Sequence, residues 1–312
     1  MDFRKIMTGS FGTLCLLIIL LAVFACLSNL FFTPSNITNL LVQSGTNAII
    51  AIGMTFVIIS GNIDISVGAV LALAGCMGAR VMVLTGSTVL GVIVTLGMGA
   101  LLGLLNGTMV AYLGFQPFIV TLATMWLYRG CAYLFTGGRA IVGLPASFVQ
   151  IGRGMIMNLP NVVWMIAVLY IVMWFILQKT TFGRKICAIG DNQESARLSG
   201  INVKRTKLIV FCMSGFFAAL SGLVYMSRLN SGQPIAGQSY EMYAIAAAVI
   251  GGASLVKGGI GNIVGTLIGA IFIAGLQNGL TILNVNTYWQ QVCMGLVVLL
   301  AVGLDRLRKS VS

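Results

Sequence analysis

The sequence predicts an all-α protein that crosses a membrane about ten times. The chain of 312 residues is 58% hydrophobic and only 8% charged, whereas soluble domains carry about 25% charged residues. Apolar runs of about 20 residues, the length that a helix needs to cross a bilayer, recur along the whole chain. Because these runs are continuous and do not alternate with polar residues, they favour helices over the strands of a barrel. We therefore treat residues 1–312 as one transmembrane domain.

Ten apolar segments are the predicted membrane crossings. The first follows two basic residues, but it is too long for a typical signal-peptide core, so we expect a retained helix. Two junctions, residues 60–64 and 251–261, are rich in glycine or polar residues and predict short or broken helices. Irregular backbone of this kind is tolerated in membranes where it is buried in protein or lines a watery cavity. The segments lie at about residues 11–32, 41–60, 64–84, 87–113, 117–136, 161–178, 208–228, 242–256, 260–281 and 287–304.

Glycines recur at short intervals inside the fourth and ninth segments. Small residues four apart allow membrane helices to approach closely. We interpret them as packing positions within one bundle, with an interface between subunits as the alternative. The positions are Gly97, Gly99, Gly103 and Gly107 in the fourth segment, and Gly261, Gly265 and Gly269 at the ninth.

The basic residues are distributed unevenly between the two faces of this topology. An even number of crossings places both termini and the polar island 179–207 on one side, which also carries most Lys and Arg. Cytoplasmic loops show this bias, so the termini and the island are predicted to be cytoplasmic and the loops 137–160 and 229–241 external. The net charge of +12 then sets orientation and meets anionic lipid, and no nucleic-acid partner is expected. The thirteen basic residues on the inner side are Arg4, Lys5, seven in the island, Lys257, Arg306, Arg308 and Lys309.

Several functional classes find no support in the sequence. The chain has no His, and its seven Cys form no CxxC pair, so neither a zinc site nor a set of nucleophile and base is visible. The stretch from Gly252 to Lys257 resembles the start of a phosphate loop, but Gly258 follows where Ser or Thr is required. We expect no catalytic site and no cofactor in this chain. Any ATP hydrolysis must come from a separate subunit.

The polar island contains a pattern that predicts one short exposed helix. Glu194-Ser195-Ala196 is followed after three residues by Gly200, and Asp191 or Asn192 is placed to cap the start. A short helix anchored by membrane spans at both ends suits the transmission of a partner's movement into the membrane. An ordinary solvated loop whose positive charges face lipid is the alternative.

The same pattern resembles the EAA-x-x-x-G loop of ABC importer permeases. More specifically, residues 61–68, GNIDISVG, resemble the G-x-D-L-S-V-G stretch of the monosaccharide permeases in that class. TFGR at 181–184, AIGDN at 188–192, SGI at 199–201, SGQP at 231–234 and GGAS at 251–254 follow in the order of that family. The similarity runs over nearly the whole chain. It resembles ribose-type permeases, with those for allose, xylose and arabinose as relatives.

The resemblance implies a function, partners and a location. The function is that of the membrane subunit of an importer in the bacterial inner membrane that translocates a monosaccharide, with ribose favoured. The implied partners are a second copy of the chain or a paralogue, a cytoplasmic ABC ATPase carrying ATP and Mg, and an extracytoplasmic sugar-binding protein. The ATPase would be coupled through residues of the island. These are Asp191, Asn192, Glu194, Ser195, Ala196 and Gly200.

Four polar residues are candidates for the translocation path or its gate. Asp64 is the one acid well inside the apolar segments, where an ionisable side chain is costly and often functional. It is also placed to cap the helix that begins near Ile65, and the two roles are compatible. Other polar groups, including Gln43, Asn106, Gln277 and Asn278, either line the path or join helices by hydrogen bonds. The four candidates are Asn47, Asn62, Asp64 and Ser66.

A self-contained, ion-coupled secondary transporter is the competing class. It requires a site for the coupling ion, usually made of acids or unwound backbone within the membrane. Asp64 is the only deep candidate for such a site.

Overall fold

The computed structural model describes residues 10–309, which form thirteen helices and four two-residue strands. Ten of the helices coincide with the ten predicted crossings, so the prediction of an all-α protein with many membrane spans is confirmed. Seven are long and apolar enough to cross a membrane, and three more are shorter apolar helices. Arg4 and Lys5 lie outside the described residues. The seven long helices are α2 (Pro34–Ile59), α3 (Val67–Thr85), α4 (Thr88–Ala111), α5 (Pro117–Thr136), α7 (Asn161–Lys179), α10 (Val203–Leu229) and α12 (Ile263–Ile282). The shorter apolar ones are α1 (Ser10–Leu27), α11 (Tyr240–Ile250) and α13 (Thr287–Lys309).

The remaining elements lie in the two polar connections. The island contains two helices, α8 (Thr181–Asp191) and α9 (Gln193–Leu198), where the sequence predicted one. The external connection holds α6 (Ala146–Arg153), whose Phe148 is fully buried. Short antiparallel pairs brace the same face. They join β1 (Ile141–Val142) to β4 (Ser231–Gly232) and β2 (Met155–Ile156) to β3 (Leu159–Pro160).

Both predicted interruptions are present. The chain leaves helix after Ile59 and re-enters at Val67, and it leaves again after Ile250 and re-enters at Ile263. Helix α11, which corresponds to the eighth predicted crossing, ends six residues before the predicted limit at 256. It ends there because Gly251 and Gly252 follow directly, and Gly252 has a φ of +99°. The island is also shorter than predicted, since its last residues already belong to the first turn of α10.

Helix α2 forms the centre of the bundle. Every residue from Ser44 to Ile59 is buried, and α10, α11, α12 and α7 all pack around it. Two neighbouring helices donate side-chain hydrogen bonds to its backbone. Tyr170 donates from α7 to the carbonyl oxygen of Ala48 at 2.9 Å, and Ser221 donates from α10 to that of Thr46 at 2.7 Å.

Glycines shape the most extensive helix contact among the described residues, which is that between α4 and α10. Gly99, Gly103 and Gly107 face the backbone of α10 around Gly215, and a Cβ at any of them would meet backbone or side-chain atoms of α10. Gly97 on the same helix faces open space. Close approach of the two backbones requires residues without a side chain, so this contact supports our interpretation that the run packs within one bundle.

Replacement of Gly103 by Val should destabilise the protein, whereas the same change at Gly97 should not. A valine at 103 would overlap the carbonyl oxygen of Phe211, and overpacking of this kind costs about 1–3 kcal/mol. Thermal unfolding of the two purified variants in detergent measures the difference. Equal melting temperatures would contradict the proposed packing.

Candidate functional site

The polar island folds into two short helices with well-defined ends. The Asn192 side chain caps α9 by accepting from the backbone N–H of Ser195 at 2.9 Å. At the other end the N–H groups of Gly200 and Ile201 donate to the carbonyl oxygens of Arg197 and Ala196. Together with the φ of +81° at Gly200, these two bonds form a Schellman motif. Asn192 is therefore the cap among the two predicted candidates, and Gly200 ends the helix as predicted.

The island presents a polar outer surface and an apolar inner one. Ala196 is buried with Ile189 and Val203 in a small cluster of its own, so this predicted coupling residue faces the protein. The other five, Asp191, Asn192, Glu194, Ser195 and Gly200, are exposed. The sequence analysis missed Leu198, whose side chain is 74% exposed at the end of α9.

An exposed ion pair stiffens the surface of α9. Arg197 donates to both carboxylate oxygens of Glu194, at 2.6 and 3.0 Å. These hydrogen bonds hold the pKa of Glu194 below its usual value. Because the pair is exposed, its contribution to stability is small, and its main effect is to fix the orientation of two side chains at the surface.

Asp64 lies at the centre of a buried hydrogen-bond network. Its Oδ1 accepts from the backbone N–H of Ser66 at 3.0 Å and from the Ser66 hydroxyl at 2.6 Å, while Oδ2 accepts from Ser214 of α10 at 2.8 Å. Asn106 of α4 donates to Ser66 Oγ at 2.8 Å, and Tyr128 of α5 donates to Asn106 Oδ1 at 3.0 Å. In this series of hydrogen bonds each donor points towards Asp64, so the carboxyl group of Asp64 is the final acceptor.

The network ties the start of α3 to three other helices. Asp64 is 1% exposed, and it accepts one backbone N–H near the start of α3, which begins at Val67. The prediction that Asp64 caps this helix is therefore wrong, because Ser66 occupies the cap position and Asp64 closes the turn that precedes it. Ser214 and Tyr128, which complete the network, were missed by the sequence analysis because single Ser and Tyr residues in apolar helices give no distinct signal.

The other predicted path residues lie elsewhere. Asn62 is buried and bonds locally, with its Nδ2 donating to Ser60 Oγ at 2.7 Å. Asn47 is buried in the middle of α2, well along the helix from Asp64. The four predicted residues therefore do not form one cluster. Asp64 and Ser66 are in contact, and Asn62 lies in the same link between α2 and α3.

Further polar groups join α2 to α12. Asn36 and Asn278 exchange two hydrogen bonds of 2.9 and 2.8 Å, and Gln43 Nε2 donates to Gln277 Oε1 at 3.4 Å. Of the two functions left open for Asn278, the structure shows that of joining helices.

Arg129 holds an external segment against the bundle. One of its terminal nitrogens donates to the carbonyl oxygens of Pro234 and Ala236, at 2.7 and 2.6 Å. Residues 233–239 thus turn inwards from the β1–β4 pair. Gly68 at the start of α3 is packed against the backbone of Gly237.

The face predicted to be external carries a positively charged cavity of about 340 Å³. Arg153 and Arg228 contribute to its wall, and Arg153 Nε donates to the carbonyl oxygen of Arg228 at 2.8 Å. Within residues 10–309, neither arginine forms an ion pair with an acid. Two further arginines, Arg80 and Arg139, are exposed near the outer ends of α3 and α5. The cavity is lined by Thr38, Asn39, Val42, Gly152, Arg153, Met155, Pro160, Arg228 and Leu229.

A second buried acid was not anticipated from the sequence. Asp305, near the end of α13, is 7% exposed. Its Oδ2 accepts from the backbone N–H of Leu255 at 2.9 Å and from the hydroxyl of Ser254 at 3.2 Å. It follows directly after the last predicted apolar segment, and only the fold brings it to the Gly-rich link 251–262.

Comparison with known proteins identifies the family. Residues 36–302 match the family described as "Branched-chain amino acid transport system / permease component". The chain is 46% identical to the ribose import permease protein RbsC of Haemophilus influenzae, over 93% of this chain and 90% of the relative. It is 44% identical to RbsC of Bacillus subtilis, over 93% and 90%. Identity to the D-allose transport system permease protein AlsC of Escherichia coli is 39%, over 95% and 91%.

No solved structure matches the chain. The matched region includes the island, both interruptions and nine of the ten apolar helices in full or nearly so. The resemblance identified from the sequence motifs is thus confirmed. The chain belongs to the family of permease components that includes the ABC importer permeases for ribose and related sugars, and it is a multi-pass protein of the bacterial inner membrane.

Proposed function

We propose that this protein is the membrane-spanning subunit of an ATP-binding cassette importer that translocates a monosaccharide, ribose or a similar sugar. The observation that carries the proposal is the 42–46% identity to ribose import permeases over at least 93% of this chain. Two copies of the chain, or one with a paralogue, form the path. The chain contributes no ATP site, and ATP and Mg bind to a separate subunit.

The cytoplasmic ATPase docks on the outer surface of α9. Three features support this position. The helix is rigid, since it is capped at both ends and crossed by the Glu194–Arg197 pair. It is held to the bundle by an apolar underside. Leu198 projects from it into water, which suits insertion into an apolar pocket of a partner.

A sugar-binding protein delivers the substrate to the external face. The exposed and cavity-lining arginines of this face support such a partner, because an uncompensated positive surface attracts an acidic one and fixes its orientation. Arginine suits this role, since its planar guanidinium binds carboxylates through two hydrogen bonds. The neutral sugar itself requires no charge on this surface.

Asp64 acts in the transporter as a fixed joint that holds the link between α2 and α3 against α10. All of its hydrogen bonds are made to groups of the chain, and it is closed off from water. A binding residue for a passing sugar needs acceptors and donors that are free to exchange partners. The sequence left undecided whether Asp64 acts as a gate. We propose instead that the role of this network is mechanical.

Transport by a reconstituted complex tests the function. Proteoliposomes that contain this chain, its ATPase and an external binding protein should take up labelled ribose only with ATP inside and binding protein outside. Uptake by the chain alone, driven by an ion gradient, would instead establish a secondary transporter. Competition by allose, xylose and arabinose determines which sugar is preferred.

The docking surface is tested at Gly200. Replacement by Val should disrupt the end of α9, because a β-branched residue at a positive φ costs about 1–3 kcal/mol. Co-purification of the ATPase should then fall by about tenfold, which corresponds to ~1.4 kcal/mol. Replacement by Asn, which tolerates the left-handed conformation, is the matched control and should keep most of the binding.

A third variant separates docking from folding. Leu198→Glu leaves the helix ends intact and places a charge where the apolar contact is expected. It should abolish co-purification while leaving the melting temperature of the isolated chain unchanged. Normal co-purification of both Leu198→Glu and Gly200→Val would remove the docking role of α9.

The role of Asp64 is tested by two substitutions. Asp64→Ala should lower the unfolding free energy by several kcal/mol, because it removes the acceptor of three hydrogen bonds, and each buried donor left without a partner costs about 1–3 kcal/mol. Asp64→Asn keeps an acceptor for Ser66 and should lose about half as much. If Asp64 is a joint, the Asn variant still transports sugar at a rate similar to the wild type per folded molecule. An Asn variant that is fully stable but inactive would establish a charge-dependent gate.

A further inference from the structure

Helix α8 of the island packs on the membrane core through the side chains of Phe182, Ile186 and Cys187 and, at Gly190, through its backbone. Gly190, near the end of α8, lies directly against the carbonyl oxygen of Ile59, the last residue of α2. A Cβ at Gly190 would overlap that oxygen and the backbone nitrogen of Gly259. The backbone of α8 therefore reaches the end of the central helix at a distance that only glycine permits.

The Gly-rich link 251–262 completes the same contact. The N–H of Gly259 donates to the carbonyl oxygen of Ile59 at 2.7 Å, and a Cβ at Gly258 would overlap the carbonyl oxygen of Gly190. Gly258 and Gly259 both have positive φ values, of 34° and 70°. We call the contact among Gly190, Gly258, Gly259 and Ile59 the glycine junction.

Two segments that meet at the glycine junction, the link 251–262 and the end of α2, are each bound to other helices of the bundle. The link is held by Asp305 of α13 through the N–H groups of Leu255 and Val256, at 2.9 and 3.4 Å. It also packs against α12, where Gly251 meets Gly265. A displacement of the link must therefore act on α12 and α13.

The second segment, from the end of α2 onwards, leads to the Asp64 network. From Ile59 the chain passes through a turn closed by the Asn62 N–H, which donates to the carbonyl oxygen of Val57 at 3.1 Å. The Asn62 side chain braces the same turn from within, by donating to Ser60. Asp64 follows two residues later and is bound to α10 through Ser214. A displacement of the end of α2 is thus passed through a stiff turn to α3, α4, α5 and α10.

We propose that the glycine junction transmits the movement of α8 and α9 into the membrane helices, with Gly190 and Gly258 as positioning residues for transport. The inference rests on the proposed function, since it assumes that an ATPase moves the island. A contact made by backbone atoms cannot slip through a change of side-chain rotamer. A displacement of α8 towards the junction must push the backbones of Ile59 and Gly259, because no space is left between them and Gly190.

The variant Gly190→Ala tests the proposal in the complete complex of chain, ATPase and binding protein. The ATPase should still co-purify and hydrolyse ATP at its basal rate, because the surface of α9 is unchanged. Stimulation of hydrolysis by sugar-loaded binding protein, and sugar uptake, should fall by about tenfold or more, within the range of about 5–150-fold typical of coupling between sites. Gly97→Ala, at a glycine that faces open space, is the matched control and should behave as the wild type.

Two outcomes overturn the proposal. One is normal stimulation and uptake by Gly190→Ala. The other is loss of the ATPase from this variant, which would assign Gly190 to docking. A wild-type complex that shows neither stimulation nor uptake would instead refute the proposed function, so the two failures are distinguishable.

A measurement on the wild-type complex serves if the alanine variant does not fold. Hydrogen–deuterium exchange of peptides covering 57–64 and 254–262 is compared with and without nucleotide on the ATPase. The proposal expects both peptides to change their exchange together when nucleotide binds. A change confined to residues 181–200 would contradict it.

Discussion

The absence of water in the bilayer core is the constraint on which this structure depends. A polar group there must find its partner within the protein, because an unsatisfied one costs several kcal/mol. The described part of the chain meets this demand by pairing charge with backbone. Asp64 and Asp305 accept from N–H groups, and Arg129 donates to carbonyl oxygens. Asp305 and Arg129 are attached to helices and bind backbone groups of an irregular segment, whereas Asp64 lies within the irregular link whose backbone it binds.

This arrangement explains how irregular segments persist between packed helices. Residues 60–66, 233–239 and 251–262 leave backbone groups without partners in a helix, and the three charged side chains supply them. The same segments are where backbones come closest. Glycines at 68, 190, 251, 258 and 265 leave no room for a Cβ. Charged side chains bind the backbone groups that no helix satisfies, and glycines allow the backbones of neighbouring segments to approach closely. The irregular segments need both.

Much of the fold follows from the sequence, because crossing a bilayer requires long apolar runs and the chain has ten of them. The interruptions were also predictable, since glycine and polar residues break helices wherever they cluster. The ends of α9 followed from Asn192 and Gly200, whose roles are local. The partners of Asp64 and the position of Asp305 did not follow, because Ser214 is 150 residues from Asp64 and Asp305 is about 50 residues from the link that it holds. Local chemistry can be inferred from one sequence, whereas contacts over such separations need the packed structure. The helix α8 was missed for a related reason: its apolar residues are few, and they are buried only once the island has folded onto the bundle.

The two interruptions are built in a similar way, and the polar island contacts the bundle where they meet. Each begins where a helix stops at a run containing glycine, each is held by a buried aspartate that accepts backbone N–H groups, and the hydrogen bond from Gly259 to Ile59 joins them. The two links join α2 to α3 and α11 to α12, so a shift of these helix ends must act on the links. Because the hydrogen bond connects the two links, they must shift together or the bond must break. The backbone of α8 touches the bundle at this bond. Under the proposed function, a partner bound to α9 acts through α8 on both irregular links of the membrane domain, and the island of 29 residues is the part of the chain that makes this contact.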